Sequence, residues 1–294
     1  MKDSLALHLV NKGYDLWLGN NRGNKYSKPA DFKDLMPHIF YDFSFTEMGQ
    51  YDAPAFVEKI LEITKNPSGK VTWIGHSEGT TQMFIGLSDK ISKDYLNAHI
   101  KRFISLAPIT FLTHVSNAQA TNASYFKTLA HFALYQYGLY EVMTGKCSPY
   151  SKWEELKGTL CQNDIVCMDD PSSNMGLDPE VDDMGAIPLM QKHSPAGASI
   201  RQLVHYAQFI AGTWFGNPLF NKYDYGPVKN MIKYGSLQPP AWDLKNVKVP
   251  LTMLSGTKDE LATKENCDEL IKHFREDQDY TMTYIKNYGH GTWN

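Results

Sequence analysis

A serine between two glycines stands at the centre of the stretch "VTWIGHSEGTTQ", residues 71 to 82. Gly75-x-Ser77-x-Gly79 follows a β-rich apolar run and precedes residues with helical character, which is the strand–turn–helix context of a nucleophilic serine. The glycines allow a sharp turn, and we expect a side chain at either glycine to clash with neighbouring backbone. A serine hydroxyl is a poor nucleophile until a base takes its proton, so a histidine and an orienting carboxylate are also required.

Candidates for the acid and the base each follow a later predicted strand. Asp259 lies in "SGTKDELA", directly after "VKVPLTMLSG", and His290 lies in "NYGHG" at the end of "YTMTYIKNYG". Serine, acid and histidine in this chain order, each after its own strand, is the order found in α/β-hydrolases. The sequence therefore predicts a catalytic triad of Ser77, Asp259 and His290. His76 lies inside the turn and is interpreted as structural.

The elements that must position these residues alternate along the chain. Hydrophobic periodicity predicts helices over 1–12, 51–64, 80–88 and 263–277, and strands over 14–19, 71–75, 100–109, 247–256 and 280–289. Strands alternating with helices at this spacing are typical of parallel βαβ units, so we predict an α/β fold with a parallel central sheet.

This alternation is lost between residues 111 and 245, which are rich in aromatic residues, Met, Gly and Pro. The stretch 125–143 could form an apolar helix, either within a core or as part of a cap over a pocket, and periodicity does not separate the two. We predict that 1–110 and 246–294 form the core, and that 111–245 is a mainly helical cap inserted into it.

Composition narrows the classes of function. The 294 residues are 42% hydrophobic and 21% charged, with a formal net charge of −3, which fits a globular protein and gives no electrostatic case for nucleic acid. No uninterrupted apolar run approaches the ~18 residues that span a bilayer, so no transmembrane segment is expected. The start of the chain does not resemble a signal peptide, which by itself favours the cytosol. No metal or organic cofactor is implied.

The cysteines and one sequon bear on the compartment. Cysteines occupy positions 147, 161, 167 and 267, without the close pairs of a zinc site. Cys147 and Cys161 could form a disulfide in an oxidising compartment, and free half-buried thiols are the open alternative. Asn122 begins an Asn-x-Ser sequon and is a candidate glycosylation site, although such triplets often arise by chance.

Several stretches closely resemble the acid lipases, the family of gastric lipase and lysosomal acid lipase. They are "GYDLWLGNNRGNKYS", "YDFSFTEMGQYDAPA", "GHSEGTTQ", "HSPAGASIRQLVHYAQ", "YDYGPVKNMIKYGSLQPP" and "VPLTMLSGTKDELA". The resemblance implies an α/β-hydrolase fold and a serine carboxylic-ester hydrolase acting on triacylglycerols or sterol esters through an acyl-enzyme. It also implies transient contact with a lipid interface and a secreted or lysosomal location for the full-length form. Cys147 and Cys161 are the nearest match to the family's cap disulfide.

Three departures from the family shape the expected activity. The backbone amide of Glu78 supplies one oxyanion donor, whereas the His-Gly loop expected to supply the second has no counterpart upstream of Ser77. We expect that the chain begins inside the helix after that loop, without the first strands of the sheet, and ends before the closing helix. Position 78 is Glu where the family usually has Gln, and an ionised carboxylate would oppose a developing oxyanion.

Two other functions remain open from the sequence. One is a non-catalytic or weakly active lipid-binding relic of the same fold. The other is an acyltransferase or thioesterase that uses the same triad with a different acceptor or ester.

Overall fold

The computed structural model describes residues 4–28, 36–117, 120–121, 138, 140–142, 176–186, 196–212 and 218–293. Within these ranges the centre of the fold is a four-stranded parallel sheet with the strand order β1-β2-β5-β6. Its strands are β1 (Val71–His76), β2 (Ile100–Leu106), β5 (Leu251–Gly256) and β6 (Tyr280–Ile285), and a separate antiparallel pair is formed by β3 (Glu141–Val142) and β4 (Ala198–Ser199).

The parallel register brings the ends of the strands together. His76 of β1 pairs with Leu106 of β2, Leu106 pairs with Leu254 of β5, and Leu254 pairs with Thr283 of β6. Because all these strands run in one direction, the loops that follow β1, β5 and β6 leave from the same edge of the sheet. The predicted α/β fold with a parallel sheet is therefore confirmed.

Helices precede and follow the strands as the alternation predicted. In chain order they are α1 (Leu5–Asn11), α2 (Pro37–Phe40), α3 (Phe45–Glu47), a π-helical turn (Met48–Asp52), α4 (Ala53–Thr64), α5 (Glu78–Ser88), α6 (Lys93–His99), α7 (Ile200–Ala211), α8 (Pro227–Tyr234), a 3-10 turn (Leu244–Asn246) and α9 (Lys264–Lys272).

Helix α5 is the central helix of the core. Every residue from Thr80 to Ser88 is buried, and the ring of Phe84 contacts Phe103 of β2 edge-on at 4.9 Å between centroids. A helix that is buried all round is fixed by its neighbours on every side. The residue at its N-terminus is therefore held in a defined position relative to the sheet.

Parts of the region predicted as a cap share this core. Phe111, Phe209, Phe220 and Trp242 belong to the same buried cluster as Phe84. These four residues of 111–245 thus pack into the core of the sheet and its helices. The boundaries of the cap itself stay a prediction.

Residues 14–19 are not a strand, so that prediction is wrong. Tyr14 and Leu18 are 65% and 77% exposed, and a Cβ on Gly19 would lie 3.2 Å from the ring of Phe56 of α4. The segment passes over α4, and no ladder in the described part of the chain includes it. An apolar run becomes a strand only where a neighbouring strand accepts its backbone hydrogen bonds.

Other differences concern where elements begin and end. Strand β5 starts at Leu251 instead of 247, directly after Pro250, which has no N–H to donate. Helix α9 ends at Lys272 and β6 ends at Ile285, both earlier than predicted. Thr263 is the N-cap of α9, because its side chain accepts a hydrogen bond from the amide of Asn266.

Several predictions fall wholly or partly outside the described residues. Asn122, Cys147, Cys161 and Cys167 lie outside them, whereas Cys267 is described and is a buried free thiol. Of the helix predicted over 125–143, residues 141–142 are described and form β3, so the helix prediction is wrong at that end. Within the described ranges, no helix combines the length and apolar character needed to cross a bilayer.

Candidate active site

Ser77 lies in a sharp turn between β1 and α5. Its backbone has φ 52° and ψ −118°, a strained conformation for a residue with a side chain. The Ser77 amide donates to the carbonyl of Leu106 at 3.1 Å, and the hydroxyl of Thr80 donates to the Ser77 carbonyl at 2.6 Å. These bonds hold the strained turn, which is the geometry of a nucleophile elbow.

The two glycines of the motif have different roles. A Cβ on Gly75 would lie 2.6 Å from the carbonyl carbon of Gly79 and 3.0 Å from the amide nitrogen of Thr80, so only glycine fits. A Cβ on Gly79 would meet nothing nearer than the side-chain nitrogen of Gln82 at 3.9 Å. The expected clash at Gly79 is therefore wrong: the Gly79 backbone is the surface that Gly75 contacts, and a Cβ on Gly79 itself would make only an ordinary van der Waals contact with Gln82.

Ser77, His290 and Asp259 form a continuous line of hydrogen bonds. The Ser77 Oγ lies 2.8 Å from Nε2 of His290. On the other side of the ring, Nδ1 lies 3.0 Å from Oδ2 and 3.1 Å from Oδ1 of Asp259. His290 and Asp259 are 4% and 5% exposed, so these bonds are largely screened from water. The structure thus brings together the three residues that the sequence singled out.

The surroundings of Asp259 keep its carboxylate ionised. Burial alone would raise the pKa of this carboxyl, but the hydrogen bond and charge of His290 and the amides of Ala262 and Leu261 outweigh burial and lower the pKa. Those amides donate to Oδ1 at 2.7 Å and 2.9 Å. An ionised carboxylate only accepts, so Nδ1 of His290 carries the proton and Nε2 is free to accept from Ser77.

His76 contacts the backbone of the candidate base, His290. Its Nε2 donates to the backbone carbonyl of His290 at 2.8 Å, and the two rings lie 5.2 Å apart between centroids. His76 therefore contacts the main chain of the candidate base, in keeping with its structural interpretation.

The N-terminus of α5 faces the position where negative charge would develop. Glu78 is the first residue of α5, where backbone N–H groups have no acceptor within the helix and the helix dipole favours negative charge. The Glu78 amide is thus the candidate oxyanion donor. Among the described residues, no group of three or more His, Cys, Asp or Glu side chains is arranged to hold a metal ion.

The Glu78 side chain is bonded to a residue that sequence reasoning missed. Nε2 of Gln202 on α7 donates to Oε2 of Glu78 at 2.8 Å, while Oε1 of Gln202 accepts from the Ser199 amide at 2.7 Å in a capping box. This capping box fixes the orientation of the Gln202 side-chain amide, so the NH₂ group of Gln202 must point towards Glu78. Burial raises the pKa of Glu78, and the hydrogen bond from Gln202 opposes that rise only in part.

The sequence did contain a signal for the position of Gln202. Ser199-x-x-Gln202 before an apolar run is the pattern of a helix N-terminus. The pattern predicts where α7 begins. It contains nothing that predicts a contact with Glu78, which lies in a distant part of the chain.

Comparison with known proteins identifies the family of this chain. Residues 1–152 match the family model of the alpha/beta hydrolase fold. Lipase lipl-1 of Caenorhabditis elegans is 34% identical over 98% of this chain and 69% of its own length. The gastric triacylglycerol lipases of Rattus norvegicus and Homo sapiens are each 30% identical over 92% of this chain, and over 65% and 64% of their own lengths.

The chain therefore belongs to the α/β-hydrolase fold family and, within it, to the gastric and related acid lipases. This confirms the resemblance seen in the sequence. The chain spans about two thirds of the length of these curated relatives.

Proposed function

We propose that this protein is a serine carboxylic-ester hydrolase that cleaves lipid esters through an acyl-enzyme. The observation that carries the proposal is the 2.8 Å contact between the Ser77 hydroxyl and Nε2 of His290, with the Asp259 carboxylate on the opposite side of the ring. This is the arrangement that activates a serine hydroxyl as a nucleophile.

The proposed reaction has two halves. In the first, Ser77 Oγ attacks the ester carbonyl carbon while Nε2 of His290 takes the hydroxyl proton, and the carbonyl oxygen becomes an oxyanion facing the Glu78 amide. The tetrahedral intermediate then expels the alcohol, which leaves with the proton from His290. In the second half, water attacks the acyl-serine with His290 as base, and the carboxylic acid departs as Ser77 regains its proton.

The substrate class rests on the relatives and on the chemistry of the fold. Two of the relatives are named gastric triacylglycerol lipases. We propose a triacylglycerol or sterol ester as substrate, with transient contact at a lipid interface. We also propose a secreted or lysosomal location for the full protein.

The cap is part of the same proposal. We propose that 111–245 covers Ser77 and that its apolar side chains form much of the acyl site, because a water-insoluble ester needs a concave, mostly apolar pocket. The contact between Gln202 and Glu78 supports this, since it places α7 beside the residue that follows Ser77.

A fluorophosphonate probe tests the nucleophile. We expect covalent labelling of the wild-type chain, none of Ser77→Ala, and at least about a hundredfold slower labelling of His290→Ala, since the base supplies roughly 10²-fold or more. Ser68→Ala is the matched control: Ser68 is an exposed serine whose hydrogen bonds within the described residues stay in its own turn, and its loss should leave labelling unchanged. Equal labelling of wild type and Ser77→Ala would refute the assignment.

Hydrolysis separates the alternative functions. Release of acid from short-chain nitrophenyl esters and from emulsified triacylglycerol or sterol ester is expected from the labelled protein. Labelling without release of acid would favour the lipid-binding relic. Transfer of the acyl group to an added alcohol or thiol in preference to water would favour an acyltransferase.

A further inference from the structure

Residues 176–186, which we call the clasp segment, contact both loops that carry the candidate acid and base. The ammonium of Lys258, the residue before Asp259, pairs with Asp178. The hydroxyl of Thr292, two residues after His290, donates to Oδ2 of Asp182 at 3.1 Å. The clasp segment therefore bridges the Asp259 loop and the His290 loop.

A third side chain extends this bridge. The side-chain amide of Asn287, in the turn before His290, donates to Oε2 of Glu180 at 2.9 Å. Asp178, Glu180 and Asp182 alternate along the chain, and each contacts a residue close to one member of the triad. These three carboxylates therefore bind side chains of the Asp259 loop and the His290 loop, and do not only face solvent.

Backbone contacts show how closely the three segments approach. Gly176 has φ +62°, and a Cβ there would lie 2.5 Å from the carbonyl oxygen of Lys258 and 3.1 Å from the Cα of Gly289. Any residue larger than glycine at 176 would push these chains apart. The residues touched are the immediate neighbours of Asp259 and His290.

One continuous set of bonds links the clasp segment to the base. The Gly289 amide donates to the hydroxyl of Thr292 at 3.0 Å, and that hydroxyl donates in turn to Asp182. The same Oδ2 of Asp182 accepts the amide of Asp178 at 2.6 Å. Asp178 is only 5% exposed, so this carboxylate is covered by its neighbours. The turn that presents the His290 ring is thereby fixed from outside its own loop.

We propose that the clasp segment is a positioning element for catalysis, in which Asp182 and Thr292 hold the His290 ring in line between Ser77 and Asp259. The proposal rests on the proposed function. Proton transfer from the serine requires Nε2 within hydrogen-bond distance, and misplacement of a catalytic group by about 1 Å lowers turnover by as much as ~10²-fold. The clasp segment limits such displacement by holding both loops at once.

Asp182→Ala and Thr292→Val test the proposal in the full chain. Each removes one link of the set, and we expect kcat for a short-chain nitrophenyl ester and the rate of fluorophosphonate labelling to fall by about tenfold. KM should stay within about twofold, because alignment of the base acts in the chemical step. Thr292→Ser keeps the hydroxyl and should restore nearly full activity.

Asp183→Ala is the matched control. Asp183 is the exposed neighbour of Asp182, and among the described residues its carboxylate accepts only from Gly185 within the same turn, so the same change should leave both rates unaltered. Thermal unfolding of every variant shows whether the fold is retained. If Asp182→Ala does not fold, the comparison of Thr292→Val with Thr292→Ser decides.

The possible outcomes distinguish failure of the positioning role of the clasp segment from failure of the proposed function. Wild-type labelling together with unchanged rates in Asp182→Ala and Thr292→Val would overturn the role of the clasp segment alone. Equal losses in Thr292→Ser and Thr292→Val, or in Asp183→Ala and Asp182→Ala, would also overturn it. Absence of wild-type labelling would overturn the proposed function, and the role of the clasp segment with it.

Discussion

The Nε2–H of His76 donates a hydrogen bond of 2.8 Å to the backbone carbonyl of His290, so the residue before the nucleophile holds the main chain of the base. The elbow therefore orients both partners of the proton transfer. Ser77 is placed by the strained turn, and His290 is tied to the end of the same strand.

We expect His76→Phe to lower turnover and to destabilise the fold by about 1–3 kcal/mol, because a ring of similar size leaves the His290 carbonyl without its donor. The measurements are kcat for a nitrophenyl ester and the free energy of unfolding in denaturant. His76→Gln keeps an N–H donor and serves as the comparison. If His76→Phe and His76→Gln both show wild-type kcat and wild-type stability, the hydrogen bond has no role in placing His290.

Asp259→Asn should keep the fold and lose turnover by roughly 10⁴-fold, as general triad chemistry requires. The two backbone amides that bond Oδ1 of Asp259 leave the other side-chain atom facing Nδ1 of His290. An amide NH₂ there donates to Nδ1 and moves the ring proton to Nε2, which then cannot accept from Ser77. Near-normal turnover in this variant would show that another carboxylate orients His290.

Gly75→Ala and Gly79→Ala form a pair of the same change at two glycines of one motif. An added methyl group at position 75 would press on the Gly79 backbone, so we expect a loss of about 1–3 kcal/mol in stability and a large loss of probe labelling. At position 79 a methyl group would make only an ordinary contact with Gln82, and alanine should raise helix stability by roughly 0.5–1 kcal/mol with labelling retained. Equal damage at the two positions would contradict the packing of the elbow.

Glu78→Gln should change the pH dependence of stability. Burial raises the folded-state pKa of Glu78 above its unfolded value of about 4.3, so the folded protein holds this proton more tightly. Wild-type stability should therefore fall as pH rises from about 4.3 through the raised folded pKa, and the neutral Gln removes that fall. The difference in melting temperature between variant and wild type should grow across this window; a constant difference would contradict the assignment.

Glu78→Gln should also change the pH dependence of ester hydrolysis, because wild-type activity, like wild-type stability, should fall as pH rises. An ionised Glu78 opposes the oxyanion, so wild-type ester hydrolysis should decline relative to Glu78→Gln as pH rises through that pKa. In the described part of the chain, Glu78 faces the neutral amide of Gln202 and the phenol of Tyr206, whose pKa is raised well above its usual value by burial and then by Glu78 itself. A ratio of rates that is independent of pH would show that Glu78 does not titrate in this range.

Local signals were sufficient for the sheet and for selecting the three residues that the structure brings together, Ser77, Asp259 and His290. The strand–turn–helix pattern around Ser77, and loops directly after β5 and β6, are features of neighbouring residues, and parallel strands then bring their ends together. The strand predicted over 14–19 failed for the opposite reason. Its apolar pattern was present, but a strand also needs a partner, and no local pattern supplies one.

The contacts that surround the triad are not visible in the sequence. Gln202 reaches Glu78, and Asp182 reaches Thr292, across long separations along the chain. The difference between Gly75 and Gly79 likewise depends on how β1 packs against α5. Each of these features follows from tertiary geometry, which one sequence read residue by residue does not contain.

Adjacent pairing of β2 with β5 has a consequence for the order of folding. Leu106 and Leu254 pair in the sheet although the chain from 107 to 250 lies between the two strands. The equilibrium cost of closing a loop grows only with the logarithm of its length, about 0.6 kcal/mol for each doubling, so the long excursion weighs lightly on stability. The same long separation slows folding strongly. The entropy of closing the loop is lost before the contacts between β2 and β5 can stabilise the sheet. Ser77 belongs to the early half of the chain and its acid and base to the late half, so regain of esterase activity during refolding should report that slow closure.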